Sequence, residues 1–372
     1  MKTDRLLEEF LELVQIDSET KEEAAIAEVL TNKLEALGFS VVEDDSKQRT
    51  GHGAGNLVAT LEGTKKDAPA IYFTVHMDTV VPGKGIKPEV RAGYVYSDGT
   101  TILGADDKAG VAALLELARH LSEENVEHGD IQFLITAGEE SGLVGAKEFD
   151  ASLLKAKFGY AVDSDGEVGG IVTSAPNQAK LWTTIYGKTA HAGVAPEKGV
   201  SAITIASKAI ARMKLGRIDD ETTANIGRFE GGKATNIVCD EVHILSEARS
   251  ISEDKLADQT AHMESVFEEV AKEMGGRAET DVQLMYPGFR FDEMDPVVDI
   301  AKTAAERIGR PSPVLTSGGG SDANIINGHG VPTVNLCVGY EEIHTTNERM
   351  PVLELEKLTE LLVEIVKEAA TR

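Results

Sequence analysis

Apolar positions along this chain fall into two kinds of run. Some recur every three or four residues: Leu6, Leu7, Phe10, Leu11 and Val14 do so, with Glu8, Glu9 and Glu12 between them. That spacing predicts an amphipathic helix, broken by acids too often for a signal peptide. Thr20 and Glu23 have the T-x-x-E spacing of a capping box and predict a second helix that stops near Gly38. Other runs are short and continuous. Asn56–Leu61, Ile71–Val75, Ile131–Thr136 and Tyr160–Val162 read as strands. Ala109–Leu121, with apolar residues at 111, 114, 115 and 118, reads as a helix between the second and third of them. Strands alternating with helices predict an α/β layer fold with a mostly parallel sheet.

The order changes in the middle of the chain. Lys180–Tyr186 reads as a strand, Ser201–Met213 as a helix, Thr223–Phe229 and Val242–Ala248 as strands, Asp254–Met274 as a helix and Asp281–Tyr286 as a strand. This β-α-β-β-α-β order is ferredoxin-like. The α/β pattern then resumes with a helix over Val297–Ile308, a strand over Val331–Val338 and a helix over Glu354–Ala369. The expected organisation is a discontinuous α/β domain, residues 1–177 and 291–372, with an inserted ferredoxin-like α+β domain at 178–290.

Composition narrows the functional classes. The formal charge of −26 repels nucleic-acid backbones and anionic lipid. Aromatic residues are 5% of the chain, too few to suggest a base-stacking surface. No run approaches the ~18 apolar residues of a membrane span. Cys239 and Cys337, the only cysteines, form no CxxC pair, which excludes a thiolate metal site or a disulfide framework and points to a reducing compartment. The expectation is a cytoplasmic protein with neither nucleic acid nor membrane as partner.

Polar residues follow each strand of the outer domain. His76-Met77-Asp78 follows Ile71–Val75, and Asp106-Asp107-Lys108 opens a helix. Gly138-Glu139-Glu140 follows Ile131–Thr136, Asp163 follows Tyr160–Val162, and His344 lies in the loop after Val331–Val338. In open α/β sheets the binding crevice lies beyond the carboxyl ends of the strands. Singly, each of these has an ordinary explanation: acids suit any helix start, and paired glutamates are usually a solvated face. Together they crowd carboxylates, which is costly unless a cation neutralises them, and imidazole with carboxylate suits a borderline divalent metal.

As a set and in order, these motifs resemble those of the M20 metallopeptidase family, with the nearest likeness to its peptidase T (tripeptide aminopeptidase) branch. The resemblance spans essentially the whole chain. It implies two zinc ions, with cobalt and manganese tolerating the same ligands. Asp106 would bridge them, His76 and Asp163 would complete one site, and Glu140 and His344 the other. Asp78 would support His76 through its carboxylate, and Glu139 would be the general base. The implied activity is hydrolysis of short peptides, tripeptides foremost. An N-acyl amino acid amidohydrolase or a dipeptidase would use the same machinery, and a non-catalytic metal-dependent binding protein is the reading from another class.

In the inserted domain, Gly187–Gly193 resembles the family's histidine-bearing turn. His191 would there stabilise the oxyanion, often from the partner subunit of a homodimer formed through this domain. Asn236, after Gly231-Gly232, and Arg249, in Glu-Ala-Arg-Ser, match substrate-contacting positions; a turn-capping Asn and a surface-paired Arg are the ordinary alternatives. Ser317, Gly318 and Gly319, before a short helix, would line the substrate pocket. The histidines at 52, 120, 128, 243, 262 and 329 match no family motif and read as surface or core residues.

Overall fold

The computed structural model describes residues 3–372. The chain divides into two compact units. One contains the chain up to Ser174 with Phe291–Ser317 and Ser321–Arg372; the other contains Ala175–Arg290 with Gly318–Gly320.

In the first unit, strands Ile131–Thr136, Ile71–His76, Phe158–Ser164 and Thr333–Cys337 lie side by side in that order, each parallel to its neighbour. Every residue of the first two is buried. A strand covered on both faces has no solvent side on which to alternate, so these segments read as mainly apolar runs. Antiparallel strands extend the sheet: Leu57–Leu61 and then Ser40–Glu43 beyond Ile131–Thr136, and Ile171–Ala175 beside Thr333–Cys337. Helices Thr3–Val14, Ala105–Glu123, Pro296–Arg307 and Val352–Ala369 contribute to the main core, with Phe10, Leu115, Ala301 and Leu362 fully buried. A smaller cluster, containing Tyr72, Leu134, Phe149 and Ile326, forms a second core beneath short helices. No helix among the described residues is long and apolar enough to cross a membrane.

The second unit is an antiparallel sheet in the order Gly216–Arg217, Thr222–Gly231, Glu241–Ser250, Asn177–Tyr186, Arg277–Tyr286. Leaving aside the two-residue strand, this is the ferredoxin-like order. Burial alternates along Glu241–Ser250, as expected when helices cover one face only. Helices Ala202–Arg212 and Glu253–Glu273 supply that cover through Ile205, Met263 and Phe267. Each starts on a serine, Ser201 or Ser252, whose hydroxyl accepts an N–H of the first turn.

One predicted feature does not form. The second helix runs Ala24–Ala36, but Thr20 does not cap it. The Thr20 hydroxyl instead donates to Asp78 Oδ2 at 2.7 Å, and Glu23 accepts the N–H groups of Lys21 and Gly53 at 2.8 Å each. Asp78 is fully buried, and a buried carboxylate needs donors more than an exposed helix end does.

Candidate metal centre

The four parallel strands point their carboxyl ends the same way, and the polar residues follow from that. His76 is the last residue of its strand and Asp163 the last but one of its own. Glu139 and Glu140 sit in the turn after Ile131–Thr136, His344 in the loop after Thr333–Cys337, and Asp106 in the first turn of Ala105–Glu123.

Asp106 stands in the middle of this group. Its Oδ1 is 3.0 Å from His76 Nε2 and its Oδ2 is 3.2 Å from His344 Nε2. Each imidazole faces one further carboxylate: Asp163 Oδ1 lies 3.7 Å from His76 Nε2, and Glu140 Oε1 lies 3.0 Å from His344 Nε2. One carboxylate thus turns a different oxygen to each of two histidines. His76, Asp106 and Glu140 place ligand atoms within 4.8 Å of one another, and so do His76, Asp107 and Asp163. Nitrogen and oxygen donors so grouped fit a borderline divalent cation.

Electrostatics agree with that fit. Burial opposes protonation of His76, yet the facing Asp106, Asp163 and Asp78 outweigh it and hold the imidazole well above its usual value. Asp106 and Glu140 lift His344 to about 10. Desolvation, with the charges of Asp106 and Glu140, lifts Asp163 to about 6 against the pull of His76. Glu139 is raised well above the carboxylate range by desolvation and then by Asp163, Asp322 and Glu140. Asp106 moves down, because hydrogen bonds from both histidines overcome its burial. The cluster holds more negative charge than its own protons relieve, and a divalent cation would supply the balance.

His76 meets Asp78 through two groups. His76 Nδ1 meets the backbone carbonyl of Asp78 at 3.0 Å, and the carboxylate is 3.6 Å away. The carbonyl accepts the Nδ1 hydrogen and leaves Nε2 free toward the site. The Asp78 carboxylate accepts the N–H of Glu139 at 2.9 Å and of Glu140 at 3.3 Å. It therefore anchors the turn that carries both glutamates.

That turn has further supports that residue type did not reveal. Gly138 has φ +71°, and a Cβ there would lie 2.2 Å from the ring of His52, so His52 is the floor of the turn and no mere core filler. Asn56 Oδ1 accepts the Ala137 N–H at 3.2 Å, while its Nδ2 donates to Gly145 O at 3.0 Å. Asp107 accepts the backbone N–H of His76 at 3.2 Å. Asn335 brackets Asp163 by accepting its N–H at 3.0 Å and donating to its carbonyl at 2.9 Å, and the Tyr340 hydroxyl donates to Asp163 Oδ1 at 3.2 Å.

The residues expected in the inserted domain form two groups within the second unit. His191 and Asn236 come together, joined by Ala192 N–H donating to Asn236 O at 2.9 Å. His191 Nδ1 accepts the N–H groups of Gly193 and Val194, each at 3.2 Å, so the ring hydrogen sits on exposed Nε2. Arg249 donates to Glu247 at 3.0 Å and to Gly318 O at 3.1 Å. Arg249 pairs with Gln178 and Glu241 with Tyr186, at opposite ends of the same strands. Eight residues of strand put the Arg249 end about 26 Å from the end that carries the His191 turn. Ser317, whose N–H donates to Ser174 O at 2.8 Å, belongs to the first unit, while Gly318 and Gly319 belong to the second.

Known proteins match this arrangement over its whole length. A protein of Bacillus subtilis named YqjE is 66% identical over 366 residues, 98% of each chain. The crystal structure of aminopeptidase PepT from Bacillus cereus superposes with a TM-score of 0.96 at 64% identity, covering 100% of this chain and 99% of that one. A tripeptidase from Staphylococcus aureus gives 0.98 at 53% identity, with both chains fully covered. The model of peptidase family M20/M25/M40 matches residues 72–368, which include every residue of the His76–His344 cluster; the chain belongs to this family and is a peptidase.

Proposed function

We propose that the chain is a two-zinc aminopeptidase that hydrolyses short peptides, tripeptides foremost, in the cytoplasm. The observation that carries this is the division of Asp106 between two histidines, one oxygen to each. His76 and Asp163 would hold one cation, Glu140 and His344 the other, and Asp106 both. When bound, such a pair acidifies water and polarises the scissile carbonyl. Glu139, steered by the grip of Asp78 on its N–H, accepts the proton of the attacking water on its carboxylate and passes it to the leaving amine. Its neighbour Glu140 turns toward His344 and is spent as a ligand.

The aminopeptidase and tripeptidase among the similar structures support the substrate class.

Arg249 would grip the substrate carboxylate and His191 Nε2–H would donate to the oxyanion. A tripeptide spans at most about 11 Å, less than half the separation of these residues within one copy. One substrate touched by both needs them from different copies, which favours a homodimer through the second unit.

The test combines Glu139→Gln with a substrate panel. The variant should keep wild-type zinc content and lose nearly all turnover, and the wild type should prefer free tripeptides to N-acyl amino acids. Full activity in the variant, or the opposite preference, would overturn the reading.

A further inference from the structure

Glu348 is a buried acid four residues beyond His344, and its carboxylate is spent on backbone. It is 2% exposed. Its Oε2 accepts the N–H groups of Leu103 at 2.7 Å and Gly104 at 2.8 Å, and its Oε1 accepts that of Asp106 at 3.1 Å. All three donors lie at the start of helix Ala105–Glu123, where backbone N–H groups have no partner within the helix. The turn that delivers Asp106 therefore hangs from a side chain some 240 residues further along.

The loop that carries His344 starts from the same place. Glu341 and Arg349 close it with reciprocal backbone bonds of 2.9 and 3.0 Å, and strand Arg349–Pro351 then pairs with Tyr94–Tyr96. The base of the loop is fixed; Ile343 packs partly against the main core, while residues 344–347 beyond it are exposed. The His344 side chain is 50% exposed, and its backbone is in the left-handed region at φ +61°. His76 and Asp163 are in a different position. Both sit on paired strands of the parallel sheet, and His76 is oriented by the Asp78 carbonyl.

We propose that Glu348 is a positioning residue that sets the distance between Asp106 and His344 by tying the turn of one to the loop base of the other. The cation position formed by Asp106, Glu140 and His344 depends on it; the position formed by His76, Asp106 and Asp163 depends on it much less. This rests on the two-cation reading above. Support of a ligand from behind typically carries about 10- to 100-fold in metal affinity. Here that factor falls on one of two positions.

The experiment is zinc titration of the metal-stripped full chain, wild type against Glu348→Gln and Glu348→Ala, with affinities read from competition with a chromophoric chelator. The glutamine has nearly the same size, and its one oxygen still accepts two of the three N–H groups, so it keeps the turn folded and serves as the partial rescue. The expected result is two tight zinc ions in the wild type. Both variants keep one at unchanged affinity and lose about 10- to 100-fold at the other, alanine more than glutamine. Cobalt titration should show the same asymmetry as a visible band that saturates in two separated steps in the variants. Two unchanged affinities in both variants, or equal weakening of both positions, would overturn the proposal while leaving the two-cation reading intact. A wild type that takes up only one zinc would fail the reading itself, and the inference with it.

Discussion

Adding one methyl group at Gly138 tests how tightly the turn that carries Glu139 and Glu140 is seated. In Gly138→Ala the new Cβ would lie 2.2 Å from His52 Cε1 and 2.4 Å from His52 Nδ1. Ordinary contact begins near 3.4 Å, so the ring or the turn must yield by more than an ångström. His52 is 8% exposed, so its ring cannot swing freely into solvent, and the turn takes part of the displacement. Two costs add. The left-handed φ of +71° is unfavourable for alanine by about 1–2 kcal/mol, and overpacking costs about 1–3 kcal/mol more. A shift of that size at Glu139, the next residue, should lower kcat about 100-fold. The two costs can be separated. His52→Ala removes the obstructing ring, so Gly138→Ala/His52→Ala should regain the steric part, about 1–3 kcal/mol, and keep the backbone part. Urea denaturation of the four metal-stripped proteins gives the stabilities, and tripeptide hydrolysis gives kcat. An interaction energy near zero between the two positions, or a fully active Gly138→Ala, would refute the claim that His52 seats this turn.

Asp78→Asn offers one oxygen to two N–H donors, so kcat should fall more than tenfold while zinc content holds, because the carbonyl that orients His76 is untouched; parallel loss of zinc would restore the carboxylate-to-imidazole role. Thr20→Ala, which removes one donor to the same carboxylate, should cost about 1 kcal/mol of stability by urea denaturation and only a small part of kcat. His191→Ala and Arg249→Ala should each be nearly inactive, yet mixed dimers of the two should regain activity, since one of their two sites has both residues intact. Mixtures that stay as inactive as their parts after subunit exchange would count against His191 acting across the dimer.

The strands and the polar positions beyond their ends were legible in the sequence for one reason. Buried parallel strands are mostly apolar, so IYFTV and IQFLIT announce themselves, and the polar residues after each mark the carboxyl end where a crevice forms. The inserted unit was readable through the order of its strands and helices, and burial alternates along Glu241–Ser250. Contacts between distant segments were not readable. Thr20 and Glu23 have a correct capping spacing, and nothing local shows that Asp78, 58 residues away, takes the threonine hydroxyl. Sequence spacing also says nothing about whether His191 and Arg249 share an end of a sheet; the antiparallel register Glu241↔Tyr186 and Arg249↔Gln178 decides that.

The supports that were missed share a mechanism. Asp78 holds Glu139 and Glu140, Asn56 holds Ala137, Asp107 holds His76 and Glu348 holds Asp106, in each case by accepting a backbone N–H. Every residue except proline offers that donor, so the partner carries no signature of side-chain type. A metal ligand must be one of a few residues and is visible wherever it stands; the residue that aims it needs only an oxygen and a place in the fold. This also explains why the supporting residues are acids and an asparagine. In a crevice already crowded with carboxylates, a further buried acid is tolerable when its charge is spread over N–H dipoles, as that of Asp78 is. On the proposed mechanism, the same dipoles, fixed before substrate arrives, would keep Glu139 and Asp106 in place without reorganisation during the reaction.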